Sequence, residues 1–551
     1  MKSKWLEMKK SSFIEGTFIA TLAIIIVKIM GMLYVIPFYA VIGIEGSALY
    51  AYAYNIYNIF LDISTIGFPI AMSKITNEYN TLKMMDAKQR AYKIAINIMR
   101  FMSIAIFIIL FIFARGIATL IISDLSGGNT IEDVTTAIRF VSLAILVIPY
   151  LSVTKGYLQG HKIINIPSIG NILEQVIRIV IVLAGSFVVV KLLNKGYALG
   201  VDIALLGAFF GGLASYAYIK IKMSKNKEEL GLDDKVKKDK ITNKEITKKI
   251  ISYAIPFIII NTVSSFYNFI DMLLVLRTME HIGFDAVTVE FIATSISTWA
   301  TKINMIIVSI AMGMTISLIP SIVEAYTLKK WKDVERRINS SLKMIIFVSL
   351  PMAVGLSFLA PSVWSVFYGE NIIGASILSL SVFVAVALNI YMVTSSIVQG
   401  LNKFKTVYIA SITGFVVNAA LDVPLMLLCN SINVPAYLGA LISSIIGYLS
   451  ASIIALYIIK KEHKINYKET FKSITKILVP IASMMLVLVL LSLAIKVDLS
   501  SRLSCIIYIA INSIIGGLVY IYVSSKMGLL KDIIGQNMID KIKKKLTFGK
   551  L

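Results

Sequence analysis

The sequence predicts an all-α, polytopic membrane protein, and three observations carry that prediction. Apolar runs of about 18 residues or more recur from end to end, each long enough for a hydrocarbon core of about 30 Å. Only 15% of the 551 residues are charged against 57% hydrophobic, and the mean hydropathy is +0.82. Basic residues crowd alternate connections between the apolar runs. A soluble chain carries about a quarter charged residues. Too few are present here to coat several water-facing domains, which excludes an ordinary soluble enzyme.

The runs predict about fourteen transmembrane helices. They fall at 14–42, 48–73, 92–114, 134–154, 167–190, 198–219, 251–276, 291–320, 340–360, 374–398, 407–429, 435–459, 473–495 and 503–525. The stretch after Trp5 is too long for a cleavable signal and lacks a small-x-small site, so it is expected to stay as the first helix. Placement of the charge then gives the topology. Of 54 lysines and arginines, about 43 fall on the side shared by both termini, about 7 on the other and about 4 within the membrane. Both termini are therefore expected in the cytoplasm, with the chain in the cell (inner, cytoplasmic) membrane. The net charge of +23 reflects this topology and attraction to anionic membrane lipids, so no nucleic-acid partner is needed to explain it.

One hydrophilic stretch, Lys220 to Lys249, is rich in Lys, Glu and Asp and reads as a solvated cytoplasmic linker; its Asp233-Asp234 pair reads as part of that charge cluster. The halves on either side of it echo each other. GFPIAMSKITNEY (Gly67 to Tyr79) ends helix 2 and GMTISLIPSIVEAY (Gly313 to Tyr326) ends helix 8, while LQGHK (Leu158 to Lys162) and VQGLNK (Val398 to Lys403) follow helices 4 and 10. Two matches in order at nearly one offset imply a duplicated six-helix unit. The expected organisation is an N-terminal lobe over 1–219, the linker over 220–250, a C-terminal lobe over 251–460, two extra helices over 461–525 and a tail over 526–551. Parallel lobes of this kind form a transporter architecture, with the substrate site between the lobes near the midplane. In the tail, Leu530, Ile533, Ile534, Met538, Ile539 and Ile542 share one helical face opposite lysines, as in a helix lying on the membrane surface.

No nucleotide-loop, zinc-protease, nucleophile-elbow or dinucleotide motif occurs, so no covalent chemistry is expected. The longest outer connection, Arg115 to Asp133 with Asp124, Glu132 and Asp133, is short for a membrane glycosyltransferase. Cys429 and Cys505 fall in apolar helices without metal or disulfide spacing. His161, His281 and His463 are scattered over loops, so no metal and no cofactor is expected.

Charges inside the bilayer remain, and these are functional candidates because burying them costs free energy. Lys28 in helix 1 and Asp62 in helix 2 both come out roughly 18–21 Å from the cytoplasmic ends; Asp271 in helix 7 and Lys302 in helix 8 both come out roughly 30 Å deep. Two readings stay open: two structural ion pairs, or lysines that grip an anionic headgroup. Glu174 and Arg178 stand four apart on helix 5 and share a face, which suits a structural pair or direct substrate contact. Arg100 sits near a helix end, where it can snorkel. Tyr50, Tyr52, Tyr54 and Tyr57 open helix 2 as an interfacial belt or a surface for sugar stacking.

Four segments carry a family resemblance: GTFIATLAIIIVKIMGMLYVIPF (Gly16 to Phe38), GFPIAMSK, GYLQGHKIINIPSIGNILEQVIRI (Gly156 to Ile179) and LIPSIVEAY (Leu318 to Tyr326). Together they resemble the Firmicute polysaccharide-biosynthesis branch of the multidrug/oligosaccharidyl-lipid/polysaccharide (MOP) exporter superfamily, which includes stage V sporulation protein B and the Gram-positive lipid II flippases. The resemblance spans about Gly16 to the end of helix 14. It implies a two-lobe flippase working by alternating access on an undecaprenyl-pyrophosphate-linked glycan, most simply the peptidoglycan precursor, with helices 13 and 14 forming a groove for the lipid tail. It also implies a monomer whose partners are that lipid-linked oligosaccharide, membrane lipids and a coupling cation or the membrane potential. Lys28 matches a helix-1 arginine of the lipid II flippases, and Lys302 falls within a residue or two of their helix-8 arginine. Tyr34, Leu61 and Asp62 stand where proteobacterial relatives are basic. Other readings are a cation-coupled multidrug antiporter of the same superfamily and an accessory protein of glycan assembly that transports nothing itself.

Overall fold

The computed structural model describes residues 13–65, 67–122, 128–227, 230 and 238–534. Among them there are helices and no strands, as an apolar solvent requires of backbone groups that have no water to bond. Twelve segments among the described residues are long and apolar enough to cross a membrane, so the chain is a multi-pass membrane protein. Leu22–Thr81, at 60 residues, is one of the twelve; as a single straight helix it would reach about 90 Å, three times the core. The helix expected at 251–276 is not among the twelve, and fourteen passes remain a proposal.

The chain divides into two compact units, Met1–Thr298 and Trp299–Leu551. The first holds α1 (Phe13–Leu33), α2 (Val35–Thr65), α3 (Gly67–Thr81), α4 (Met85–Ile122), α5 (Ile131–Ser142), α6 (Ile148–Gly160), α7 (Asn165–Val180), α8 (Tyr197–Lys225), α9 (Asn243–Ile282) and α10 (Ala286–Thr294). The break expected between helices 1 and 2 lies inside α2 at Gly43, with φ 70° and ψ −168°, a conformation essentially confined to glycine. The outer connection expected from Arg115 to Asp133 is mostly helix, because α4 continues to Ile122 and Thr130 with Asp133 forms a capping box for α5. Asp124 lies outside the described residues. Helix 5 is α-helical to Val180 and continues as two π turns, Ile181–Gly185 and Val188–Leu192.

Two of the sequence segments singled out above pack on each other. Gly156 and Gly160 stand one turn apart on α6, and a Cβ on either would fall 2.6 Å from backbone of α3, at Pro69 and Ser73 respectively. A glycine pair at this spacing lets two helix backbones touch. The corresponding Gly400 in the second unit sits where a Cβ would lie 2.8 Å from Ile322, so the QG motif meets the end of the paired helix in both halves. Residues with left-handed φ also recur in order, at Lys83, Lys162 and Asn194 and again at Lys329, Asn402 and Asn433.

The linker is docked rather than wholly solvated. Leu230 is fully buried among Met72, Ile75, Tyr79 and Leu158 together with Ile246 and Ile250 of α9. Its carbonyl accepts from Lys88 Nζ at 3.0 Å and from the Tyr157 hydroxyl at 3.4 Å. Lys88 is 2% exposed, and a buried ammonium needs such acceptors. Further along, Ala87 N donates to Asp239 Oδ2 (2.8 Å), Asp239 N to Asp86 Oδ2 (3.0 Å) and Arg90 Nη2 to the Ile241 carbonyl (2.8 Å). Thr242 and Glu245 then cap α9, and the hydrogen bonds from Thr242 hold the Glu245 carboxyl below its usual range. Leu230 thus finds an apolar socket in a charged segment, and it shares that cluster with residues at the start of α9. Asp233 and Asp234 lie outside the described residues.

The second unit holds α11 (Ala300–Thr327), α12 (Trp331–Phe358), α13 (Ala360–Tyr368), α14 (Ile372–Gly400), α15 (Phe404–Ser431), α16 (Leu438–His463), α17 (Lys468–Ala494), α18 (Arg502–Lys526) and α19 (Leu529–Ile534). Helix α14 packs against α11, α12 and α16, and α15 pairs with α16. Helices α17 and α18 pair with each other and join the unit through α12 and α13. On α17, Ile477, Ile481, Met484 and Leu488 form the buried stripe, while Leu478, Leu486 and Leu493 are exposed, as a lipid-facing side should be. Leu529 and Ile533 of α19 join that stripe with Phe347 and Tyr520. The start of the tail is thus packed into the unit instead of lying free on a surface; Met538, Ile539 and Ile542 are outside the described residues.

Helix 8, expected over 291–320, consists of α10, a π turn at Ser295–Trp299 and α11. The boundary between the units falls inside that turn. Asn55 Nδ2 donates to Thr298 Oγ1 at 3.0 Å and Ser297 Oγ at 3.2 Å within the first unit, and the Tyr368 hydroxyl donates to the Trp299 carbonyl at 2.8 Å within the second.

Candidate functional site

Charged groups on α6 and α7 of the first unit, with tyrosines of α2 beside them, form the best-defined cluster. Glu174 does not close on Arg178, its neighbour one turn along. Its Oε2 pairs with Lys155 Nζ at 2.9 Å, both side chains being largely buried. Lys155 was missed in the sequence because helix 4 was ended at 154, whereas α6 runs to Gly160. The LQGHK segment was the available signal, since a helix commonly stops around such a glycine. Arg178 lies within electrostatic range of Tyr57, Tyr54, Glu174 and Tyr50, and its Nε is buried without a hydrogen-bond partner. Helix α8 runs close behind: a Cβ on Gly207 would come within 2.9 Å of the Arg178 carbonyl, and one on Gly211 within 2.5 Å of the Glu174 carbonyl. That fit fixes the backbone that carries both charges.

The tyrosines of helix 2 form neither a surface belt nor an open stacking face. Tyr50, Tyr52 and Tyr57 are buried. Tyr50 and Tyr54 stack with centroids 5.4 Å apart, Phe38 meets Tyr50 edge-on at 5.1 Å, and the Tyr34 and Tyr50 hydroxyls are 3.4 Å apart. Residues 50, 54 and 57 share one helical face, and that face turns into the unit. His161, expected on a solvated loop, is also buried, with Nδ1 3.3 Å from Asn80 Nδ2.

The four remaining candidates are distributed over both units. Lys28 is half-buried on α1, which packs against α7. Asp62 is half-buried on α2 and accepts a hydrogen bond from Ser265 of α9. Asp271 on α9 is 4% exposed and belongs to the first unit; Lys302 on α11 is 7% exposed and belongs to the second. Arg100 is exposed on α4. Three further buried acids had not been singled out. Glu290 accepts from Asn129 N at 3.0 Å and Asn129 Nδ2 at 2.8 Å, Asp202 has an Oδ1 without a partner, and Asp422 accepts from Ser443. Asp285, outside the spans, caps α10 by accepting from Thr288 N at 3.0 Å, and its bonds to Thr288 hold its carboxyl below the usual range. Among the described residues, no three His, Cys, Asp or Glu side chains are grouped to hold a metal ion.

Apolar spans carrying buried lysines and carboxylates define a class, the multi-pass helical transporters. The family described as "Polysaccharide biosynthesis protein" matches residues 13–326, and that described as "MatE" matches residues 256–423. The lipid II flippase MurJ of Bacillus subtilis (strain 168) is 30% identical over 476 residues, covering 85% of this chain and 86% of the relative. Stage V sporulation protein B of the same organism is 21% identical over 364 residues, covering 66% and 68%. A solved structure, "Lipid II flippase MurJ, inward closed conformation", shares the fold with a TM-score of 0.68 at 17% identity, covering 94% of this chain and all of the other. The chain belongs to the polysaccharide biosynthesis protein family, in the MurJ-like branch of the MOP exporter superfamily.

Proposed function

We propose that the chain is a flippase that carries an undecaprenyl-pyrophosphate-linked glycan, the peptidoglycan precursor lipid II, across the cell membrane without covalent chemistry. The observation that carries this reading is the 30% identity to a lipid II flippase over 85% of the chain. The charges fit it. A pyrophosphate crossing a low-dielectric region needs fixed cations along its path, where attraction is far stronger than in water, and Lys28 and Lys302 supply them. The expected result is that the gene restores growth to a strain depleted of its own lipid II flippase. The match of residues 256–423 to the MatE family favours a second reading, a cation-coupled drug antiporter. Absent growth together with drug resistance conferred on the same strain would select that alternative.

The proposed topology puts both termini and the linker in the cytoplasm. Asp285→Cys and Asp124→Cys should react with an impermeant maleimide in intact cells, and Lys240→Cys only after permeabilisation. Cys429 and Cys505 are buried and free and should give little background. Labelling at residue 240 from outside would reverse the orientation.

A further inference from the structure

We propose that Lys155 is a positioning residue: it occupies the Glu174 carboxylate and so leaves Arg178 as a further cation of the first unit, besides Lys28, that holds the substrate's pyrophosphate. The inference rests on the flippase reading and adds to it a named anion-binding group and the residue that releases it.

Spacing alone would have Glu174 neutralise Arg178, since residues four apart on a helix are neighbours. The structure instead spends that carboxylate on an ammonium from another helix, at 2.9 Å. Lys155, Glu174 and Arg178 together carry one positive charge, and it resides on the guanidinium. Besides Glu174, the groups that act most strongly on Arg178 are the tyrosines Tyr57, Tyr54 and Tyr50, which are neutral as phenols. They line the cation without cancelling it. A buried guanidinium N–H without an acceptor is costly, yet Arg178 Nε is in that state. The planar fork of Nε and Nη is the donor pattern that binds phosphate oxygens in bidentate fashion. A purely structural trio would be expected to satisfy Nε, and the close fit of Gly207 and Gly211 against α7 holds the backbone whether or not Nε is satisfied.

The test uses the full chain in vesicles with a fluorescent lipid pyrophosphate, at equal amounts of folded protein, reading apparent affinity. Lys155→Met should weaken binding about tenfold or more, because Glu174 then turns to Arg178. Adding Glu174→Gln should bring affinity back to within a few-fold of wild type, since Arg178 is freed again. Arg178→Gln should bind weakly in every background, including the double variant. A structural ion pair would move abundance and leave affinity unchanged. Wild-type affinity in Arg178→Gln, or no recovery in the double variant, overturns the proposal while the flippase reading stands. A wild-type chain that binds no lipid pyrophosphate overturns both.

Discussion

Lys28→Gln and Lys302→Gln should each slow lipid II translocation by about 10- to 100-fold while the protein stays abundant and membrane-inserted. The size follows from the interaction removed. A hydrogen bond to a charged group contributes about 1.5–3 kcal/mol, and about 1.4 kcal/mol is a factor of ten. Glutamine keeps most of the length and a donor, so the cavity effects of truncation are avoided and the change isolates the charge. Lys302 is 7% exposed and Lys28 half-buried, so neither is a solvated surface lysine whose loss would pass unnoticed. Lys28→Arg should keep most of the activity because the charge is retained. Complementation of a flippase-depleted strain, scored beside membrane-fraction blots, makes the measurement. Full activity in well-expressed glutamine variants would mean that these lysines serve the fold.

Gly156→Val should cut the amount of folded protein several-fold, whereas Gly116→Val should leave it near wild type. At Gly156 a Cβ would lie 2.6 Å from Pro69 Cα and closer still to the Pro69 carbonyl oxygen, while at Gly116 it would meet nothing within 4 Å. Backbone cannot rotate out of the way as a side chain can. Relieving the clash means separating α6 from α3, and overpacking of this sort costs about 1–3 kcal/mol, occasionally more. Size-exclusion profiles of detergent-solubilised fluorescent fusions, followed through a heating series, would report both variants. Equal profiles for the two would show that the α3–α6 contact is dispensable.

The parts of the fold legible in the sequence are those set by length and hydropathy. Helices expected at 374–398 and 407–429 appear as Ile372–Gly400 and Phe404–Ser431, because each apolar run ends in a connection marked by Lys, Asn or Gly. The paired motifs were legible too, and their meaning is steric: Gly156 and Gly160 receive the backbone of α3, and Gly400 receives Ile322 of α11. What escaped depends on partners remote in the chain. Nothing local says that Leu230 has a socket or that Lys155 reaches Glu174 from another helix. The tyrosine face was misread because a helix end near an interface and a helix face turned inward share one composition. Asp202, Glu290 and Asp422 were passed over although they sit in apolar stretches, where a carboxylate is as conspicuous as a lysine.

The π turn at Ser295–Trp299 has a consequence for angular phase. Each residue of a regular helix advances about 100° around the axis, and a π turn inserts one residue into that count. Counting along the sequence as though helix 8 were regular therefore misplaces the phase of Lys302 by about 100°. The side of the helix on which this cation emerges is set by the five buried residues Ser295 to Trp299 as much as by its own position. A relative that lost one residue there would keep its lysine and present it to different neighbours.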